Sequence, residues 1–73
     1  MEPDMNDKIE TWFTYHKPEG DDPAKYVAIR DAAKALAKVI AENTPRCADQ
    51  TAALRKLRES VMTANASIAC KGV

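Results

Sequence analysis

Residues 22–45, DPAKYVAIRDAAKALAKVIAENTP, decide the fold. Asp22 is a good N-cap, and Pro23 follows at the first helical position, where its missing N–H costs nothing. Tyr26, Ile29, Ala33, Leu36, Ala37 and Ile40 recur at three- and four-residue steps and form one apolar stripe. The many intervening alanines favour helix. Asn43, Thr44 and Pro45 end it.

Toward the C-terminus, Thr44 is positioned to cap a third helix, with Pro45 at its first position. Leu54, Leu57, Val61, Ala64 and Ile68 keep a 3-4-3-4 spacing, the a/d pattern of a coiled-coil seam. This helix is expected to run to about Ala69, leaving Gly72 and Val73 as a frayed end. Toward the N-terminus, residues 14–22, TYHKPEGDD, read as a loop: Lys17 precedes proline and leans extended, and Gly20 permits a tight turn. Residues 4–13 form a short helix capped by Asp4, with Ile9, Trp12 and Phe13 on one side. Pro3, Pro18, Gly20, Pro23 and Pro45 mark the divisions. The expected architecture is all-α, a single domain over residues 1–73. A short N-terminal helix precedes an antiparallel hairpin of two longer helices.

A chain of 73 residues buries only about 60% of its unfolded surface, so small domains usually add a staple. The two cysteines, Cys47 and Cys70, fall 23 residues apart in the expected third helix, about 35 Å along its axis and beyond disulfide reach. One histidine, His16, and two distant cysteines do not make a structural zinc site, and no cofactor is implied. Partner subunits remain. The alanine-rich stripes pair once, while Trp12, Phe13 and Tyr15 still need cover, so the chain is expected to assemble into a helical homo-oligomer.

Eleven Lys and Arg balance eleven Asp and Glu. Polymeric DNA and RNA are therefore poor partners, because phosphate neutralisation dominates their affinity. A small anionic ligand needs only a few well-placed cations. Residues 1–12 lack the apolar core of a signal peptide, and no run approaches a membrane span. The expected setting is intracellular, with reduced thiols.

Enzyme readings find no support. There is no glycine-rich phosphate loop, no HExxH and no paired CxxC, and nothing in the spacing brings a cysteine to His16. Both cysteines are expected to be ordinary buried residues. The unusual segment is residues 12–17, WFTYHK, which sets three aromatic rings beside a histidine and a lysine. Rings stack on purine bases and a cation meets the phosphate. The alternative is that Trp12 and Phe13 are core or interface anchors, with Tyr15 and His16 at the rim. Tyr26, Arg30, Lys34 and Lys38 lie at four-residue steps along one ridge, either a solvated face or a basic strip for an anion. Arg30 is the stronger candidate, since its planar fork matches phosphate geometry. Arg55, Lys56, Arg58 and Glu59 read as solvated charges. Asn65, an amide among small residues, either specifies oligomer register or reads a ligand edge.

Two stretches, FTYHKPEGDDPAKYVAIRDAAKALA (13–37) and LRKLRESVMTANASIA (54–69), occur in the order and spacing of a known family. Over residues 12–69 the chain resembles the phage anti-CBASS cyclic-nucleotide sponges, which share their domain with a Thoeris anti-defence sponge. The resemblance implies a small helical protein assembled as a homohexamer in the cytoplasm of the infected bacterial host. It implies sequestration, without cleavage, of cyclic oligonucleotide second messengers, so that CBASS effectors are not activated. Cyclic dinucleotides such as cyclic GMP-AMP would bind at subunit interfaces, and cyclic trinucleotides at a separate site. By resemblance, Tyr15 stacks on a base, His16 and Lys17 continue its loop, Arg30 meets a phosphate, and Asn65 belongs to the Ala-Asn-Ala motif. Two positions depart from the family pattern: Lys17 stands where a second proline is usual, and Cys70 where an arginine often follows Ile-Ala. Lys71 is the candidate substitute for that arginine. The competing reading is a helical protein-binding inhibitor or adaptor with no nucleotide ligand.

Overall fold

The computed structural model describes residues 4–73; Pro3 lies outside them. The described residues form three helices and no strand: α1 (Met5–Trp12), α2 (Asp22–Asn43) and α3 (Ala48–Ala69). α2 and α3 pack lengthwise as an antiparallel hairpin. None of the helices is long and apolar enough to cross a membrane.

Each boundary has a local cause. Asp4 caps α1 as expected, its Oδ1 accepting from the Asp7 N–H at 2.9 Å. α2 begins one residue earlier than its proline suggests, with Asp21 as N-cap and Asp22 already helical. The Asp22 carboxylate instead reaches back and accepts from the Glu19 N–H at 3.1 Å, closing the turn around Gly20. That glycine takes a φ of 55°, in the left-handed region.

The start of α3 corrects the expectation. Thr44 is extended (φ −127°, ψ 152°), as the residue before proline tends to be. Its hydroxyl donates back to the Ile40 carbonyl at 2.7 Å and so caps nothing in α3. Pro45 and Arg46 belong to the turn, and Cys47, extended and exposed, is the N-cap of a helix that starts at Ala48. Cys47 is therefore neither helical nor buried. Gln50 ties the turn together: its Nε2 lies 3.3 Å from the Ala41 carbonyl oxygen, 3.2 Å from that of Thr44 and 3.1 Å from the Thr44 hydroxyl.

The C-terminal residues are also not frayed. The Gly72 N–H donates to the Ser67 carbonyl at 2.9 Å and the Lys71 N–H to that of Ile68 at 3.2 Å. This is the Schellman arrangement that satisfies the last carbonyls of a helix. Its left-handed position is held by Lys71, with φ 52°. A side chain there costs roughly 1–2 kcal/mol.

The facing stripes lie where the periodicity puts them. Ile29, Ala33, Ala37 and Ile40 of α2, and Leu54, Leu57, Val61, Ala64 and Ile68 of α3, are half-buried, whereas Leu36 is exposed. Among the described residues only Cys70 is buried. The radius of gyration is 15.5 Å against about 11 Å for a compact chain of this length. The chain exposes 6042 Å², roughly 1,600 Å² more than a compact monomer of its mass.

Replacing Lys71 with glycine should remove the left-handed penalty. Thermal melts at fixed protein concentration are expected to show Lys71→Gly more stable by about 1 kcal/mol. An unchanged or lower midpoint would mean that contacts of the lysine side chain outweigh the backbone cost.

Candidate functional site

Five of the eight candidate residues converge. A cleft of about 170 Å³ lies between the loop after α1, the first turn of α2 and the end of α3. Tyr15, His16 and Lys17 line it from the loop, Tyr26 from α2 and Lys71 from the turn after α3. The hairpin explains the meeting: antiparallel packing sets the start of α2 beside the end of α3, and the loop lies across both.

The loop is anchored through one atom. The Thr11 carbonyl accepts from His16 Nε2 at 2.7 Å. It also lies 3.8 Å from Cys70 Sγ. A carbonyl only accepts, so His16 Nε2 carries a proton and Nδ1 is left for other partners. His16 is thus a structural residue on one side of its ring while lining the cleft. The spacing gave no reason to place a cysteine near it, yet Cys70 arrives at the same carbonyl. The arrangement is not a nucleophile–base pair, because the imidazole nitrogen there is a donor and the thiol is buried.

Tyr15 is 82% exposed, so its ring face is open for stacking. Lys71 Nζ stands 3.7 Å from Glu19 Oε2, with both side chains largely in solvent. Such a pair is weak and exchangeable. Glu19 and Asp22 were not among the sequence candidates, yet both line the cleft and offset Lys17 and Lys71. Their position follows from the Gly20 turn, which folds the loop's acidic end back on itself.

Arg30 and Lys34 do not share this cleft. They border an apolar groove of about 270 Å³ between α2 and α3, floored by Ala33, Ala37, Leu54, Leu57 and Val61. The four-residue ridge is therefore divided, with Tyr26 in the cleft and the next two positions in the groove. Arg58, read from sequence as a solvated charge, borders the same groove. Nothing in the spacing along the chain announces this: the helix-to-helix register that places Ala37 and Leu54 in one groove also brings Arg58 to it beside Ala33. Asn65 lines neither site; its Oδ1 is buried with no donor among the described residues. A buried acceptor left unpaired costs about 1–3 kcal/mol. No group of His, Cys, Asp and Glu suited to a metal occurs among the described residues.

Fold and site together describe a small helical hairpin whose aromatic–basic loop folds over its open end. The family model for the Acb2/Tad1 hairpin domain matches residues 5–69, and the chain belongs to that family, the anti-CBASS and anti-Thoeris sponges. The match extends the resemblance read from sequence through α1. No curated protein and no solved structure matches the chain.

His16 tests the anchoring of the loop. His16→Ala leaves the Thr11 carbonyl without its strong donor and should lower stability by about 1 kcal/mol. His16→Gln, with an amide donor of similar reach, should recover part of this in parallel melts. Equal losses would remove the hydrogen bond from the account.

Proposed function

We propose that this protein binds and sequesters cyclic oligonucleotide immune second messengers without cleaving them, and so keeps CBASS effectors of the host cytoplasm inactive. The observation that carries the reading is the cleft, where the rings of Tyr15 and Tyr26 stand with Lys17 and Lys71. Rings hold bases through their faces, and ammonium groups meet phosphate oxygens. Family membership supports the same conclusion.

The cleft's 170 Å³ is below the roughly 300 Å³ at which ligand pockets begin. A cyclic dinucleotide needs a second wall. The surplus surface of roughly 1,600 Å² on one chain is about twice the roughly 800 Å² that each partner gives to a standard interface, enough for contacts with more than one neighbouring copy, and such a copy supplies the second wall. A homo-oligomer, a hexamer in keeping with the family resemblance, would close the site and slow release. Asn65 Oδ1 finds its donor in that assembly or on the ligand. Arg30 and Lys34, with Arg58, form a second basic surface with the chemistry for phosphates of a cyclic trinucleotide. Sequestration needs no catalytic group: effectors respond to free messenger, and a tight binder in molar excess lowers it.

A thermal-melt panel tests the reading, with cyclic GMP-AMP, cyclic di-GMP, cyclic triadenylate and linear controls. A ligand at about 1,000 times its Kd should add about 4 kcal/mol per site. Cyclic but not linear ligands are expected to raise the midpoint. Tyr15→Ala is expected to abolish the dinucleotide shift and Arg30→Ala that of a phosphate-contacting ligand, both with helicity retained. No shift with any ligand would favour the protein-binding module, for which exposed Phe13 offers an anchor. Undiminished shifts in both variants would overturn the site.

A further inference from the structure

Trp12 closes α1, yet its indole Nε1–H donates to the Val73 main-chain oxygen at 2.9 Å, 61 residues along the chain. Between α3 and that oxygen lies the turn holding Lys71. Three backbone hydrogen bonds build the turn: Lys71 N–H to Ile68, Gly72 N–H to Ser67 and Val73 N–H to Cys70, at 3.2, 2.9 and 3.1 Å. Lys71 is held at φ 52°, where a residue with a side chain resists staying. Something must stabilise that geometry, and the indole is the tertiary hydrogen bond on the turn's far end. The held conformation is also the one in which Lys71 lines the cleft and reaches within 3.7 Å of Glu19. Trp12 itself is 47% exposed, which is unlike a core anchor.

We propose that Trp12 is a positioning residue for ligand binding: its indole N–H locks the 70–73 turn and thereby keeps the Lys71 ammonium in the cleft. The inference rests on the sequestration reading and assigns Trp12 a role that stacking or core packing would not give it. Trp12 touches no ligand; it acts through Lys71. The phosphate of a bound nucleotide takes the lysine from Glu19, and the clamp determines how much ordering that exchange requires.

A double-mutant cycle separates this role from general stability. Affinity for cyclic GMP-AMP would be measured by calorimetry for the wild type, Trp12→Phe, Lys71→Met and the double variant, with helicity and melting recorded for each. Trp12→Phe keeps a ring and deletes the donor; it should weaken binding about fivefold, the loss expected for one hydrogen bond. Lys71→Met should weaken binding about tenfold or more. The double variant should bind no more weakly than Lys71→Met alone, because the clamp then has nothing to position. Multiplicative losses would reduce Trp12 to a structural role and overturn the proposal. Unchanged affinity in Lys71→Met would overturn it while leaving sequestration standing, whereas a wild type that does not bind cyclic GMP-AMP contradicts both for that ligand. If Trp12→Phe does not fold, the wild type decides. Coupling is reciprocal, so cyclic GMP-AMP should slow solvent exchange of the Trp12 indole proton, and an unaltered rate would overturn the clamp.

Discussion

Alanine on the facing stripes of α2 and α3 lets two 22-residue helices approach along their length, but it gives them little apolar surface to bury. Every other feature follows from that shortage. Leu36, Val39 and Met62 remain in solvent, and Cys70 is the one buried residue among those described. A hairpin in this condition is marginal on its own. Its remaining order comes from polar ties at the two ends: the Gln50 clasp at the closed end, and the Thr11 and Trp12 hydrogen bonds at the open one. The open end, where the loop must cross two helix termini, is where the cleft forms.

That origin explains the chemistry of the cleft. Helix ends and turns carry the residues a long apolar core would exclude, so rings, ammonium groups and carboxylates can stand together in partial contact with water. The Lys71–Glu19 pair keeps the lysine's charge balanced at little stability gain, which leaves the lysine free to exchange partners. Strain in the backbone at Lys71 sits beside the same site, in keeping with the tendency of left-handed non-glycine residues to cluster where ligands bind. Membership of the Acb2/Tad1 hairpin family accords with a protein whose resources lie in holding a ligand.

Much of this was legible in the sequence. The periodic stripes identified both long helices, Asp4 announced its cap, and the second half of the WFTYHK run, Tyr15 to Lys17, marked the part of the loop that lines the cleft. What escaped were features decided by tertiary geometry. Pro45 suggested an early start to α3, but the extended residue before it and the Gln50 clasp convert residues 44–47 into a turn. Gly72 and Val73 looked free because nothing local announces an indole donor arriving from α1. Arg58 joined Arg30 and Lys34 only once the register of the hairpin was known. Cys70 and His16 share the Thr11 carbonyl through a fold-back that spacing along the chain does not encode.

Sequestration has a direct chemical signature, the return of the ligand unaltered. The decisive measurement is to saturate the protein with cyclic GMP-AMP, remove free ligand by dialysis, hold the complex for hours, then denature it and identify the released nucleotide by mass spectrometry. The account predicts stoichiometric recovery of intact cyclic GMP-AMP. Recovery of linear or otherwise altered nucleotide would contradict holding without cleavage, and the absence of retained nucleotide would contradict binding of this ligand at all.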